Sequence, residues 1–361
     1  MFSILDILKK QREEKRKSEP APAGAPAPAP QGQAVPVSGV PAPQESAPAS
    51  LSLFSAVTKE AEEESARQMS RLYDSAVAVA KKVYVADGPT AGILTNELAP
   101  VITGLVGALS KGNKEALKFF FSDYPDPINY LYYHAVNVCI LAVELGLQLQ
   151  YAPAALEDLA TAAFLHDIGM TSVHELIAKS GKLAGEEMDK MRQHTRKGVE
   201  ILDRVARDFP HSVTEAVLSE HERFDGSGYP KGLKAEEIPE LAQIVGLADV
   251  YEAIVHFRPY RQRQSPSDTI NAILSNKGAF SARVTKALLE RIGVYPAGTR
   301  VRLNTKELAV VVSVNSGSPL RPVVAVIADA QGNPLTALKE INLFKNYLVY
   351  IEECLDIPRP V

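Results

Sequence analysis

The hexapeptide Asp225-Gly226-Ser227-Gly228-Tyr229-Pro230 restricts the backbone more than any other stretch of this chain. Gly226 and Gly228 open conformations closed to residues with a Cβ, and Pro230 fixes its own φ and stiffens the exit. The chain must turn sharply here, and His221 stands just before the turn. Upstream, LHDIGM at 165–170 ends an apolar helical run with His166 and Asp167 side by side. An imidazole next to a carboxylate is a sound start for a metal site, because the two together suit Mn, Fe and Zn. His221 is a third ligand candidate.

Composition sets outer bounds. A chain of 361 residues predicts two or three folded units, and 46% apolar residues suffice for a sizeable core. The net charge of −4 gives no electrostatic case for binding a nucleic-acid polymer. Cys139 lies in apolar helical sequence and reads as a buried thiol. With Cys354 as its sole companion no disulfide framework is expected, which suits a reducing compartment. No continuous apolar run reaches the roughly 18 residues of a membrane span, so no transmembrane helix is expected.

Patterning divides the chain into five segments. Residues 1–18 begin with apolar MFSILDIL and continue with a charged run, the reverse order of a secretory signal. A short amphipathic segment is expected, with residues 1–8 able to dock on a partner or a membrane surface. Residues 19–54 are rich in Pro and Ala and read as an extended linker, because they offer too little apolar surface to offset ordering. Over 55–122 apolar residues recur at helical spacing: Met69, Leu72, Tyr73, Ala76, Val77, Ala80, Val83 and Tyr84, then, past Gly88-Pro89, Ile93, Leu94, Leu98, Val101, Ile102, Leu105 and Leu109. Residues 123–293 hold the His-Asp pair and the Gly-Tyr-Pro turn. Over 294–361 valine-rich alternation broken by Asn-Ser-Gly-Ser and Gln-Gly-Asn-Pro turns predicts a small β-rich appendage of four or five strands.

Five strings in this order, LHDIGM at 165–170, KSGKLAGEEMDKMRQHTRKG at 179–198, HERFDGSGYPKGLKAEEIPE at 221–240, GLADVYEAI at 246–254 and RPYR at 258–261, resemble the HD-GYP domain, a branch of the HD metallohydrolases. The resemblance covers roughly residues 125–290. It implies a mainly α fold, an HD-type helical bundle between the N-terminal helical region and the C-terminal β-rich appendage. It also implies a ligand set of His134, His166, Asp167, His194, Glu220, His221 and Asp249. His166 and Asp167 form the catalytic pair, and Asp167 bridges two ions. From His134 the successive histidines are spaced by 32, 28 and 27 residues, and Asp249 follows His221 by 28. Each interval is about one helix pair, so a bundle can bring them to one core site. Taken alone, His134 would read as a core histidine satisfied by Asn137. His174, His211 and His256 match no ligand position and are assigned to surface or structure.

The resemblance further implies two divalent transition metals, Fe or Mn, and hydrolysis of cyclic di-GMP to pGpG or GMP in bacterial signalling, with metal activation of water as the driving chemistry. Substrate contacts fall to Asp225, Gly226, Gly228, Tyr229, Pro230 and Lys231 in the turn and to Arg258 and Arg261. Glycines would allow close approach of phosphate or guanine, Tyr229 would offer a stacking face, and Arg258 would bind phosphate. Two positions depart from the family pattern. Met170 stands where a Lys is common and cannot donate a hydrogen bond. Glu220 stands where a His is common, though a carboxylate can replace an imidazole on Mn or Fe. Tyr130 stands where three-metal members carry Glu, which favours two metals.

These departures keep two alternatives open: a non-catalytic cyclic di-GMP receptor or interaction protein, and a hydrolase of another cyclic dinucleotide. A diguanylate cyclase or other signalling protein is a candidate partner, as is a second copy of the chain. A cytoplasmic location is expected.

Overall fold

A computed structural model of the chain describes residues 49–85, 88–113, 115–126, 129–177, 185–205, 209–256, 264–276 and 278–355. The segment 1–18, the Pro/Ala-rich stretch up to residue 48, and Arg258 and Arg261 lie outside the described residues.

Helix α1 spans Ala49–Val83, so residues 49–54 of the expected linker are helical instead. The last proline of that stretch is Pro48, and beyond it every residue again carries a backbone donor. The predicted stripe faces inward: Met69, Tyr73, Ala76, Val77, Ala80, Val83 and Tyr84 are all buried. Helix α2 (Ala91–Ser110) follows, capped by the Thr90 side chain, which accepts from Ile93 N at 3.4 Å. Helix α3 is Glu115–Phe120.

The central helix α4, Tyr130–Gln148, is buried almost all round from Tyr133 to Gly146. It packs on α5, Pro153–Leu165, which opens with proline at its first position, where the missing donor does no harm. Past a 3-10 turn at Ile168–Val173 come α6 (Glu186–Arg192), α7 (His194–Val205), α8 (His211–Ser219) and α9 (Glu240–Val255). Helices α10 (Pro266–Ser275) and α11 (Ala282–Ile292) close the bundle, each capped by a serine, Ser265 and Ser281, whose hydroxyl accepts a backbone N–H three residues on.

Helices α2 and α4 both have the length and mean apolarity of a membrane span, although neither is a continuous apolar run. Helix α4 is 83% buried over that window and carries His134, Asn137 and Glu144 inward, so it is a core helix. In α2, Leu94, Leu98, Val101, Ile102, Leu105 and Leu109 are buried, and the helix packs on α5.

The appendage is a five-stranded antiparallel sheet ordered β4-β3-β2-β1-β5, with β1 Arg300–Leu303, β2 Leu308–Ser313, β3 Val323–Ala328, β4 Pro334–Asn342 and β5 Ile351–Cys354. Alternate residues Val301, Leu303, Ala309, Val311, Val324, Val326, Ile341 and Leu343 form its own core. The architecture is thus mainly helical with a small C-terminal sheet, as the sequence predicts.

Candidate metal centre

Four helix ends and one helix interior supply the site. His166 caps the C-terminus of α5, and Asp167 follows it. His194 opens α7, Glu220 caps α8 with His221 next, and Asp249 lies within α9. His134 projects from the first turns of α4. Helix ends suit this work because the chain can turn away at once after presenting the side chain, and His134, His166, His194 and Glu220 all end up buried.

The elements come close enough because two backbones lack side chains where they meet. A Cβ on Gly169 would stand 1.9 Å from the His194 carbonyl oxygen, so the turn after Asp167 lies directly against the start of α7. Gly228 plays the same part in the Gly-Tyr-Pro turn. A Cβ there would stand 2.3 Å from Arg223 N and 2.4 Å from the His221 carbonyl oxygen. The close approach that Gly228 permits here is to its own chain. Glu222, buried, holds the turn from below: its Oε1 accepts from Lys231 N at 2.7 Å and Gly232 N at 3.1 Å, and its Oε2 from Leu233 N at 3.0 Å.

The seven side chains assemble into two sets whose ligand atoms lie within 4.8 Å of one another: Asp167, His194, Glu220 and His221, and His134, His166 and Asp249. Asp167 reaches both. Its Oδ1 is 3.5 Å from His194 Nε2, and its Oδ2 is 3.4 Å from His166 Nε2 and 3.6 Å from His134 Nε2. Asp249 Oδ1 lies 3.3 Å from His134 Nε2. Glu220 turns Oε1 to His194 at 3.6 Å and to His221 at 3.9 Å, and Oε2 to His166 at 3.8 Å.

The outer nitrogens are fixed. His166 Nδ1 pairs with the Ala163 carbonyl at 2.8 Å, His194 Nδ1 with the Met191 carbonyl at 2.6 Å, and His134 Nδ1 with the Glu252 carboxylate. Each leaves Nε2 pointing into the cluster, the arrangement a metal-binding histidine requires.

Electrostatics fit a cation. Burial opposes charge on His166, but Glu220 and Asp167 outweigh it and hold its pKa well above the ordinary range. His194 is raised in the same way against its burial, chiefly by the Glu220 carboxylate 3.6 Å from its Nε2. Burial would raise Asp167, yet His166, His194 and His134 hold it well below the usual carboxylate range. His221 differs: burial pushes it down to about 4, the neutral form that ligates metal. His194 Nε2 and both Glu220 oxygens are buried without a hydrogen-bond partner. Buried polar atoms left this way are costly, and a metal ion satisfies all three.

The substrate candidates fare unevenly. Tyr229 stacks on His221, ring centroids 4.7 Å apart at 28°, and the Arg192 guanidinium stands over its ring at 5.6 Å. One ring face is thus turned to His221, a candidate ligand. Asp225 is exposed and accepts from Ser227 N at 2.9 Å, closing the turn, and the Lys231 side chain is exposed. Gly226 has φ +81°, which the turn requires, and Pro230 follows a cis peptide. Met170 is buried at 9% exposure beneath the His-Asp pair.

Sequence reasoning missed Glu252. It lies one turn after Asp249 on α9, fully buried, with His134, Tyr124, Asn137 and His256 around its carboxylate. The i, i+3 spacing to Asp249 was the available signal. Asn137, expected to satisfy His134, reaches it only through Glu252. His256 is structural, pairing with Glu252 and, at 2.6 Å, with the Phe120 carbonyl, while His211 is exposed.

Residues 126–284 match the family described as the HD domain, and residues 300–358 match a KOW domain associated with the HD domain. A cyclic di-GMP phosphodiesterase of Pseudomonas aeruginosa is 36% identical over 204 residues, 56% of this chain and 49% of that protein. A cyclic di-GMP phosphodiesterase of Thermotoga maritima is 35% identical over 159 residues, 44% of this chain and 43% of that protein. A 3'3'-cGAMP-specific phosphodiesterase of Vibrio cholerae is 30% identical over 159 residues, 44% of this chain and 30% of that protein. The chain spans about half or less of the length of these relatives. The chain thus holds an HD domain at residues 126–284 followed by an HD-associated KOW domain at 300–358.

Proposed function

We propose that this chain is a metal-dependent phosphodiesterase that opens cyclic di-GMP to pGpG and GMP. The observation that carries the reading is the double set of ligand atoms sharing Asp167, with His194 Nε2 and both Glu220 oxygens unsatisfied by protein. Two divalent ions fit it. His134, His166 and Asp249 would hold one and His194, Glu220 and His221 the other, with Asp167 between. The mix of four imidazoles with three carboxylates suits Mn or Fe. Such ions supply Lewis-acid polarisation of a phosphodiester and lower the pKa of water.

The protein's part is to fix geometry. Glu252 orients His134, the Ala163 and Met191 carbonyls orient His166 and His194, and Tyr229 backs His221. Lys231 and Asp225 stand exposed on the Gly-Tyr-Pro turn that follows His221, available to a dinucleotide. The names of the relatives support cyclic di-GMP as the substrate, and the cGAMP-specific relative makes a mixed cyclic dinucleotide the competitor to test.

One observation favours a receptor instead. Met170 offers no donor beside the His-Asp pair, so a phosphate contact common in the family is missing. Incubating the Mn- or Fe-loaded protein with cyclic di-GMP, and separately with 3'3'-cGAMP, distinguishes the readings. Cleavage of cyclic di-GMP that disappears in Asp167→Ala supports the proposal, preferential cleavage of cGAMP redirects it, and recovery of intact nucleotide bound to metal-loaded protein favours the receptor.

A further inference from the structure

We propose that helix α1 and the residue that follows it, ahead of the HD domain, position one half of the metal site through two tyrosine hydroxyls, Tyr73 and Tyr84. The inference rests on the metal-site reading above and not on the identity of the substrate.

Tyr84 directly follows α1, its N–H still bonded to the Ala80 carbonyl at 2.9 Å, so 11 residues (three turns) after Tyr73 it continues the same face, and both are buried. Each directs its hydroxyl at the support of a different ligand. The Tyr73 hydroxyl donates to Asn137 Oδ1 at 3.0 Å. Asn137 Nδ2 donates to Glu252 Oε1 at 3.4 Å, and the other oxygen of Glu252 meets His134 Nδ1. The chain of contacts runs from α1 through α4 to α9 and back to a ligand on α4.

Tyr84 acts at the second ligand. Its hydroxyl donates to the Phe164 carbonyl at 2.7 Å. The neighbouring carbonyl, Ala163, pairs with His166 Nδ1 at 2.8 Å. Two adjacent carbonyls in the last turn of α5, unsatisfied within the helix, are thus fixed by His166 itself and by Tyr84. The outcome is His134 Nε2 and His166 Nε2 at 3.2 Å, both in the set with Asp249.

The two histidines of the other set are held from elsewhere. His194 is fixed by Met191 and His221 by Tyr229, both within the HD domain. Tyr73 and Tyr84 lie outside the stretch that matches the HD family, so a segment specific to this chain's N-terminal region bears on half of its metal site. A shift of α1 would then be read as a change in metal retention at that half, leaving the other half loaded.

The test uses the full chain and Mn(II) as the probe. Tyr73→Phe and Tyr84→Phe, singly and together, keep both rings and remove only the hydroxyls. Mn(II) titration followed by electron paramagnetic resonance counts tight sites and reports whether two ions are exchange-coupled. The wild type is expected to bind two coupled ions. Each single variant weakens one of them about three- to ten-fold, the size of one lost buried hydrogen bond. The double variant weakens the same ion about 10–100-fold, the range for outer-sphere partners, and leaves a mononuclear Mn(II) signal of unchanged affinity.

Val77→Ala makes a cavity on the same helix without touching a hydroxyl, and both ions should stay as in the wild type. Parallel weakening of both ions, weakening in Val77→Ala equal to that in the tyrosine variants, or no change in the double variant overturns the inference. If the double variant does not fold, the single variants carry the same comparison. A wild type that binds no Mn(II) would instead remove the metal-site reading itself, whereas a failure to cleave nucleotide would leave this inference standing.

Discussion

Tyr229 lies flat on His221, with ring centroids 4.7 Å apart and planes 28° from parallel. One ring face thus backs a candidate metal ligand, and the Arg192 guanidinium stands 5.6 Å from the ring centre. Tyr229→Ala should therefore weaken Mn(II) binding about ten-fold, within the range for outer-sphere partners. Tyr229→Phe should leave binding near the wild-type value, because the stacking face is kept. Equal loss in both variants would assign the effect to the hydroxyl and contradict the stacking role.

Glu222 gives a prediction about the turn itself. Its carboxylate accepts three backbone N–H groups, from Lys231, Gly232 and Leu233, while only 5% exposed. Glu222→Ala strands those donors and should destabilise the protein by about 3 kcal/mol, the scale of a lost charge-assisted bond. Glu222→Gln retains one acceptor oxygen and should lose less. Denaturant unfolding monitored by circular dichroism reads both, and equal stability of the alanine variant and the wild type would show that the turn is held by other contacts.

Gly169 is the strictest position in the site. A methyl group there would fall 1.9 Å from the His194 carbonyl and 2.6 Å from Gly198 N, both backbone atoms. Backbone cannot step aside as a side-chain end can, so Gly169→Ala should destabilise by about 3 kcal/mol or more. It should also separate Asp167 from His194 and abolish two-metal binding. Unchanged stability and metal content would mean that α7 can shift without loss.

Protons should leave when metal enters. Against their burial, the carboxylates of Glu220 and Asp167 keep His166 and His194 protonated above the pH at which free imidazole is neutral. Metal binding needs the neutral ring, so each ion must displace protons, and affinity should rise with pH. Calorimetric Mn(II) titration at about pH 7.5, one unit above the free imidazole value, in buffers of different ionisation enthalpy, should show at least one proton released per chain. No release at that pH would show that the imidazoles are already neutral.

Much of the site was legible because its ligands are tied to local signals. The His166-Asp167 pair, the turn after His221 and the intervals of about one helix pair appear in the linear sequence, and the structure gathers all seven ligand candidates. What surrounds them was not legible, since it depends on packing between distant helices. Glu252 meets His134 across 118 residues, and Tyr73 meets Asn137 across 64. The start of α1 at Ala49 was placed too late because composition marks where prolines lie, not how far a packed helix propagates back toward them.

The most direct test combines metal count and turnover on one sample. The chain is purified without oxygen, its Fe and Mn are quantified, and it is mixed with cyclic di-GMP while products are separated over time. Two ions per chain with formation of pGpG or GMP, and neither in Asp167→Ala, is the predicted result. Intact cyclic di-GMP from a wild-type sample that holds two ions would contradict the account.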